Sequence, residues 1–161
     1  MNMRFKRGIP IFALLLSNAL LLSFCGCVTT PHGNIVTVSG PNWRVQQGQA
    51  LWTPRKGAPQ FGGDLVIATA NGRAFVQFSK GPLTIVTAQL TPTHWLIRFP
   101  KKGQAWEGRR PAPTRTLWLY LANALAGKRL PRSLHFQHEP DGNWRLENSK
   151  TGEILEGFIS S

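Results

Sequence analysis

From Trp43 onward, apolar and polar residues mostly alternate, a pattern that puts every second side chain on one face and predicts strands. The alternation is clear in D-L-V-I-A-T (64–69) and R-A-F-V-Q-F-S (73–79). The A-N-G between them predicts a tight hairpin in which Asn71 and Gly72 take positive φ. P-L-T-I-V-T-A-Q-L (82–90), H-W-L-I-R-F (94–99) and Q-A-W-E-G (104–108) follow, separated by Pro- or Gly-containing turns at the spacing of an antiparallel meander. Near residue 113 the period changes. In P-T-R-T-L-W-L-Y-L-A-N-A-L-A-G, Leu117, Leu121 and Leu125 recur every four residues. Thr114 is placed to cap and Gly127 to terminate, which predicts one helix over 115–126, apolar on nearly all sides. Such a helix is buried on more than one side or faces a lipid-like ligand. The tail returns to strands in S-L-H-F-Q-H, N-W-R-L-E-N and E-I-L-E-G-F-I-S, the first two joined by the turn E-P-D-G. The fold class expected is mainly β (α+β): several antiparallel strands and one main helix.

The beginning of the chain has a different pattern. Arg4, Lys6 and Arg7 precede an apolar run from Ile11 to Leu22, interrupted by Ser17 and Asn18. This is the layout of a secretory signal, with an apolar segment short for a membrane span. It ends in F-C-G-C, residues 24–27, which resembles a bacterial lipobox. A small residue must precede an acylated cysteine, and Gly26 before Cys27 meets that need where Phe24 before Cys25 does not. Cys27 is therefore the expected lipidation site, with 1–26 removed, 27–42 a tether and 43–161 the domain. Two alternatives remain: a C-x-C metal or redox pair, which finds no further cysteine downstream, and an uncleaved anchor.

Cleavage would remove three of the 19 basic residues and leave 16 against 7 acidic ones. Nine of the positives lie between Arg98 and Arg132, opposed only by Glu107. For an exported protein, the polyanions that such a stretch meets are lipid headgroups and envelope polymers; the compartment argues against nucleic acid. A solvated basic face with no partner is the plain alternative. With Cys27 acylated and Cys25 lost, no disulfide supports the domain.

Catalytic signals are weak. Five of the seven acids fall in the last 29 residues, beside turns or alternating on apparent strands, where solvent exposure accounts for them. His135 and His138 are three apart on a strand and point to opposite faces, which argues against shared metal ligation. His94 and His32 read as structural residues. No nucleophile-elbow, zincin, P-loop or dinucleotide motif occurs. The expectation is a protein with no enzymatic activity, no metal and no cofactor. Six tryptophans, at 43, 52, 95, 106, 118 and 144, and nine phenylalanines are many for 161 residues. They suit either an apolar groove or a core built of large side chains.

G-P-L followed by an alternating strand, then H-W-L-I-R-F-P-K-K-G-Q-A-W-E-G, then an apolar helix leading into L-A-G-K-R-L-P-R-S-L-H-F, together resemble the LolA/LolB group of lipoprotein-localisation factors. The resemblance runs from about Trp43 to the end. It implies an unclosed antiparallel β-barrel, or half-barrel, whose hydrophobic concave face is covered by helix. It also implies an acyl-chain or lipoprotein ligand, with a periplasmic carrier as partner. The implied groove residues are Trp95, Leu117, Trp118, Leu121 and Leu125. Leu83 in G-P-L-T matches the exposed apolar residue of the family's membrane-transfer loop, with Thr84 where the family has Gly. Lys101, Lys102, Arg109 and Arg110 would form an anionic-headgroup rim. Val28 after Cys27 points the anchor to the outer membrane, facing the periplasm, by the sorting convention of enteric relatives. A reading of another class is a structural or adaptor lipoprotein with a filled core, whose basic face contacts an anionic polymer or a partner protein. A cell-wall hydrolase is the weakest reading, for want of a carboxylate pair.

Overall fold

The computed structural model describes Val36 and residues 38–160. The signal segment, Cys25, Cys27, His32 and most of the tether lie outside the described residues. Nine strands form one antiparallel sheet: β1 (Arg44–Thr53), β2 (Phe61–Ala70), β3 (Arg73–Lys80), β4 (Leu83–Leu90), β5 (His94–Phe99), β6 (Gln104–Arg109), β7 (Leu134–His138), β8 (Asn143–Asn148) and β9 (Ile154–Ser160). Their order is β6-β5-β4-β3-β2-β1-β9-β8-β7, so β6 and β7 are free edges and the sheet is unclosed. β1 to β6 are a meander in chain order. The last three strands form a second meander that joins the first through β9 on β1.

The period-2 pattern sets the register. Ile67, Val76, Ala88 and Ile97 pair in succession across β2 to β5, and all are buried on the inner face. The β2–β3 turn is as expected, with φ of 46° at Asn71 and 77° at Gly72, a conformation that asparagine and glycine tolerate. Inner-face glycines let neighbouring strands approach closely. A Cβ at Gly63 would strike the Ser79 carbonyl oxygen, and one at Gly157 would strike that of Gln49. Several outer-face positions are exposed, but Ala68, Gln89 and Leu96 are buried there, and the Gln89 side-chain oxygen accepts the Val36 N–H at 2.7 Å. The end of the expected tether is therefore held on the sheet.

The segment from 110 to 133 leaves one edge strand and returns at the other, lying against β2, β3, β4, β5 and β8. It differs from the helix expected over 115–126. A 3-10 turn, Leu117–Leu119, is followed by a five-residue helix α1, Leu121–Leu125. Thr116 is extended (φ −129°, ψ 99°), Tyr120 departs from helical angles (φ −110°, ψ −14°), and neither helical piece has a side-chain cap. Thr114 does not cap; its carbonyl accepts Asn148 Nδ2 at 2.7 Å. A pattern apolar on all sides is met here by burial rather than by regular helix: Leu117, Trp118, Leu119 and Leu121 are within 1 % of full burial. Gly127 ends α1 in the left-handed region, its N–H bonded to the Ala124 carbonyl.

Candidate functional site

Antiparallel pairing puts the β1–β2, β3–β4, β5–β6 and β8–β9 turns at one end of the sheet. Inner-face aromatics collect there because Trp52, Phe61, Phe78, Phe99 and Trp106 all lie near those strand ends. Trp52 is at the centre, with ring centroids 6.0 Å from Phe61, 6.0 Å from Phe99 and 5.6 Å from Trp118. Phe78 meets Trp118 at 5.0 Å, and Phe99 meets Trp106 at 5.7 Å. The row runs from fully buried Trp118 to Trp106 and Phe61, which are 44 % and 41 % exposed. At its outer part a cleft of about 380 Å³ lies between β5, β6 and the start of the 110–133 segment. It is lined by Trp95, Ile97, Phe99, Trp106, Pro113 and Arg115. Its walls are aromatic and its rim is cationic, with the Lys102 ammonium 6.0 Å from the Phe99 ring.

Trp95 is held in place by its neighbours. Its indole N–H donates to the Arg109 carbonyl at 3.0 Å, and its ring packs against Gly108, where a Cβ would come within 2.9 Å. Behind the cleft, Glu153 joins sheet to covering segment. Its carboxylate accepts the Trp52 indole N–H at 3.0 Å and the Leu117 backbone N–H at 3.2 Å. Burial pushes this carboxyl from 4.5 up to about 7, against the pull of those two hydrogen bonds. The expectation that the late acids are solvent-exposed is corrected at this position: Glu153 is 5 % exposed. It is buried because the β8–β9 turn folds under the 3-10 turn.

The sequence-derived candidates separate into four groups. Trp95 lines the cleft. Leu117, Trp118 and Leu121 have no exposed surface, and partly buried Leu125 packs against the core they help to form. The expected groove is occupied at these positions by the covering segment's own side chains. Leu83 is 62 % exposed at the β3–β4 turn, at the same end as the cleft. The four rim cations do not gather. Lys101 and Lys102 sit in the 3-10 turn Pro100–Lys102 before β6, but Arg109 and Arg110 are the last residue of β6 and the one after it, roughly 20 Å of strand away. Phe99 and Trp106 were missed as site residues, although 95, 97 and 99 share a face by strict alternation. Nothing local signals Glu153.

A larger groove of about 820 Å³ lies across β1, β2, β8 and β9, with Leu51 and Phe158 exposed on its walls. Its lining mixes both signs, with Asp64, Glu139 and Glu156 beside Lys80 and Arg145, and the arginine is matched within the fold. Arg145 pairs with Glu147 at 3.3 Å and with Glu156, which also accepts Gln60 Nε2 at 2.9 Å. The aromatic cleft, where apolar surface and unpaired cations meet, is the better candidate. Among the described residues no three His, Cys, Asp or Glu side chains gather as metal ligands would. No protein-family model matches the chain, and no curated protein matches it significantly.

Proposed function

We propose that this chain is an outer-membrane lipoprotein, acylated at Cys27, whose half-barrel binds lipid or lipoprotein acyl chains at the aromatic cleft and takes part in lipoprotein localisation. No chemical step is involved. The observation that carries the reading is the open cleft over Trp95, Phe99 and Trp106, at the end where Leu83 projects. Each acyl methylene moved from water into such a site contributes about 0.8 kcal/mol. The turns at that end carry Arg55, Lys56, Lys80, Lys101, Lys102 and Lys150, all exposed. The acid in the same turns, Glu153, is buried. Cations around a projecting leucine suit a surface that meets anionic headgroups while an acyl chain enters or leaves.

The test is displacement of a fluorescent fatty-acid probe from the purified full-length protein, followed by transfer of an acylated peptide to vesicles. Wild type should bind the probe, and Trp106→Glu should lose most of that binding without unfolding. Leu83→Glu should bind normally and fail in transfer. Normal probe binding by folded Trp106→Glu would sink the cleft assignment. A wild type that binds no acyl probe would favour the adaptor reading, in which the core is filled and the cations meet an anionic polymer or a protein.

A further inference from the structure

The opposite end of the sheet carries a second cleft, of about 770 Å³, whose chemistry is the reverse of the first. It lies between the β2–β3 turn, the exit of β6 and the residues after α1. Its lining includes Arg73, Arg110, Lys128 and Arg129, with the amides of Asn71 and Asn123, and no acidic side chain. These cations come from three separate parts of the chain: β3, the residue after β6, and the two positions following Gly127. Crowding like charges costs folding energy, so four cations around one hollow with no acid among them call for a compensating anion.

Neutral groups rather than carboxylates orient these side chains. The Arg73 guanidinium lies 5.3 Å from the Trp43 ring centroid, a contact that leaves its charge uncancelled. Arg110 Nη1 donates to the Thr91 carbonyl at 3.4 Å. Lys128 and Arg129 are placed by the left-handed Gly127 and by the Lys128 N–H donating to the Asn123 carbonyl at 2.9 Å. The ion pairs found among the described residues both belong to Arg145, at the other meander. The planar forks of three arginines match tetrahedral oxyanions, which accept paired N–H donors. The volume is that of a small-molecule site, larger than one phosphate needs.

We propose that this cleft binds a phosphate-bearing anion with two or more negative charges. It is distinct from the acyl cleft, with which it shares no lining residue. The phosphate comes either from a soluble phosphorylated molecule or from a lipid headgroup, and the same residues serve both.

The experiment uses the purified full-length protein and two probes: inorganic pyrophosphate, followed by titration calorimetry, and phosphatidylcholine vesicles with and without phosphatidylglycerol, followed by co-sedimentation. The cleft variant is Arg129→Glu, and the control of equal charge change is Arg132→Glu, which lines neither cleft. Both positions are exposed, and circular dichroism establishes that each variant is folded. Saturable pyrophosphate binding is expected, weakened about tenfold or more in the cleft variant and within about twofold of wild type in the control. That result identifies a soluble phosphate. Binding only to phosphatidylglycerol vesicles, with a larger loss in the cleft variant than in the control, identifies a headgroup. Absence of binding to both probes, or losses as large in the control as in the cleft variant, overturns the proposal.

Discussion

The carboxylate of Glu153 accepts the indole N–H of Trp52 at 3.0 Å across 101 positions of sequence. Through its other oxygen it holds the Leu117 N–H at 3.2 Å, so one side chain fastens the covering segment over the aromatic row of the sheet. Neutral within the fold at moderate acidity and ionised above it, this group makes the fastening sensitive to pH.

The direction of that dependence follows from linkage. Glu153 has its carboxyl raised to about 7 in the fold. Between the unfolded value of 4.5 and that value, the native chain holds a proton that the unfolded chain has released. This group's contribution is greatest at low pH and declines as pH rises from 4.5 through 7, by on the order of 3 kcal/mol in all. Urea unfolding at pH values on either side of this window should show that decline in wild type and a much flatter response in Glu153→Gln. Equal slopes in the two proteins would remove Glu153 as the cause.

Leu121 and Trp106 should respond in opposite ways to the same substitution. Leu121 has no exposure, so Leu121→Glu buries a charge with no partner and should cost about 4 kcal/mol or more, enough to unfold much of the protein. Trp106 is 44 % exposed on an edge strand, and Trp106→Glu should stay within about 1 kcal/mol of wild type. Denaturation midpoints decide this, and a well-folded Leu121→Glu would mean that α1 is not core.

Gly108 should act on the cleft through Trp95. An alanine Cβ there would come within 2.9 Å of an indole already tied to the Arg109 carbonyl, so the ring must move. Gly108→Ala is expected to change acyl-probe affinity several-fold while costing about 1 kcal/mol or less, since β6 is an edge strand. Unaltered affinity together with unaltered Trp fluorescence would show that the ring has room.

Neighbouring glycines of β2 provide a matched comparison. A Cβ on Gly63 would overlap the Ser79 carbonyl oxygen, which is backbone and cannot swing aside, whereas one on Gly62 would meet only Leu51 Cδ2 at 3.2 Å. Gly63→Ala should lower stability by about 2–4 kcal/mol and Gly62→Ala by well under half of that. Similar losses at the two positions would argue against close strand approach at Gly63.

Much of the sheet is legible in the sequence. Strand periodicity depends on adjacent residues, so β2 to β9, the Asn71-Gly72 hairpin and the Gly127 stop are legible in stretches such as D-L-V-I-A-T, A-N-G and L-A-G, whereas β1, R-V-Q-Q-G-Q-A-L-W-T, carries too few apolar residues to mark itself as a strand. The helix is shorter than its spacing suggests, because Leu117, Leu121 and Leu125 satisfy a four-residue period and also satisfy simple burial on every side. Local spacing does not separate those two causes.

The sequence by itself determined the alternation that makes an antiparallel sheet, the excess of positive charge and the wealth of aromatics. Where these meet was decided only by the tertiary structure. Pairing of β9 with β1 brings Glu153 beneath Leu117 and beside Trp52. The length of β6 separates Lys102 from Arg110, eight positions apart in a single basic run: Lys102 sits by the Phe99 ring, and Arg110 lines the cationic cleft. A site depends on which strands become neighbours, and that is set by burial summed over the whole inner face, which no short stretch of sequence contains.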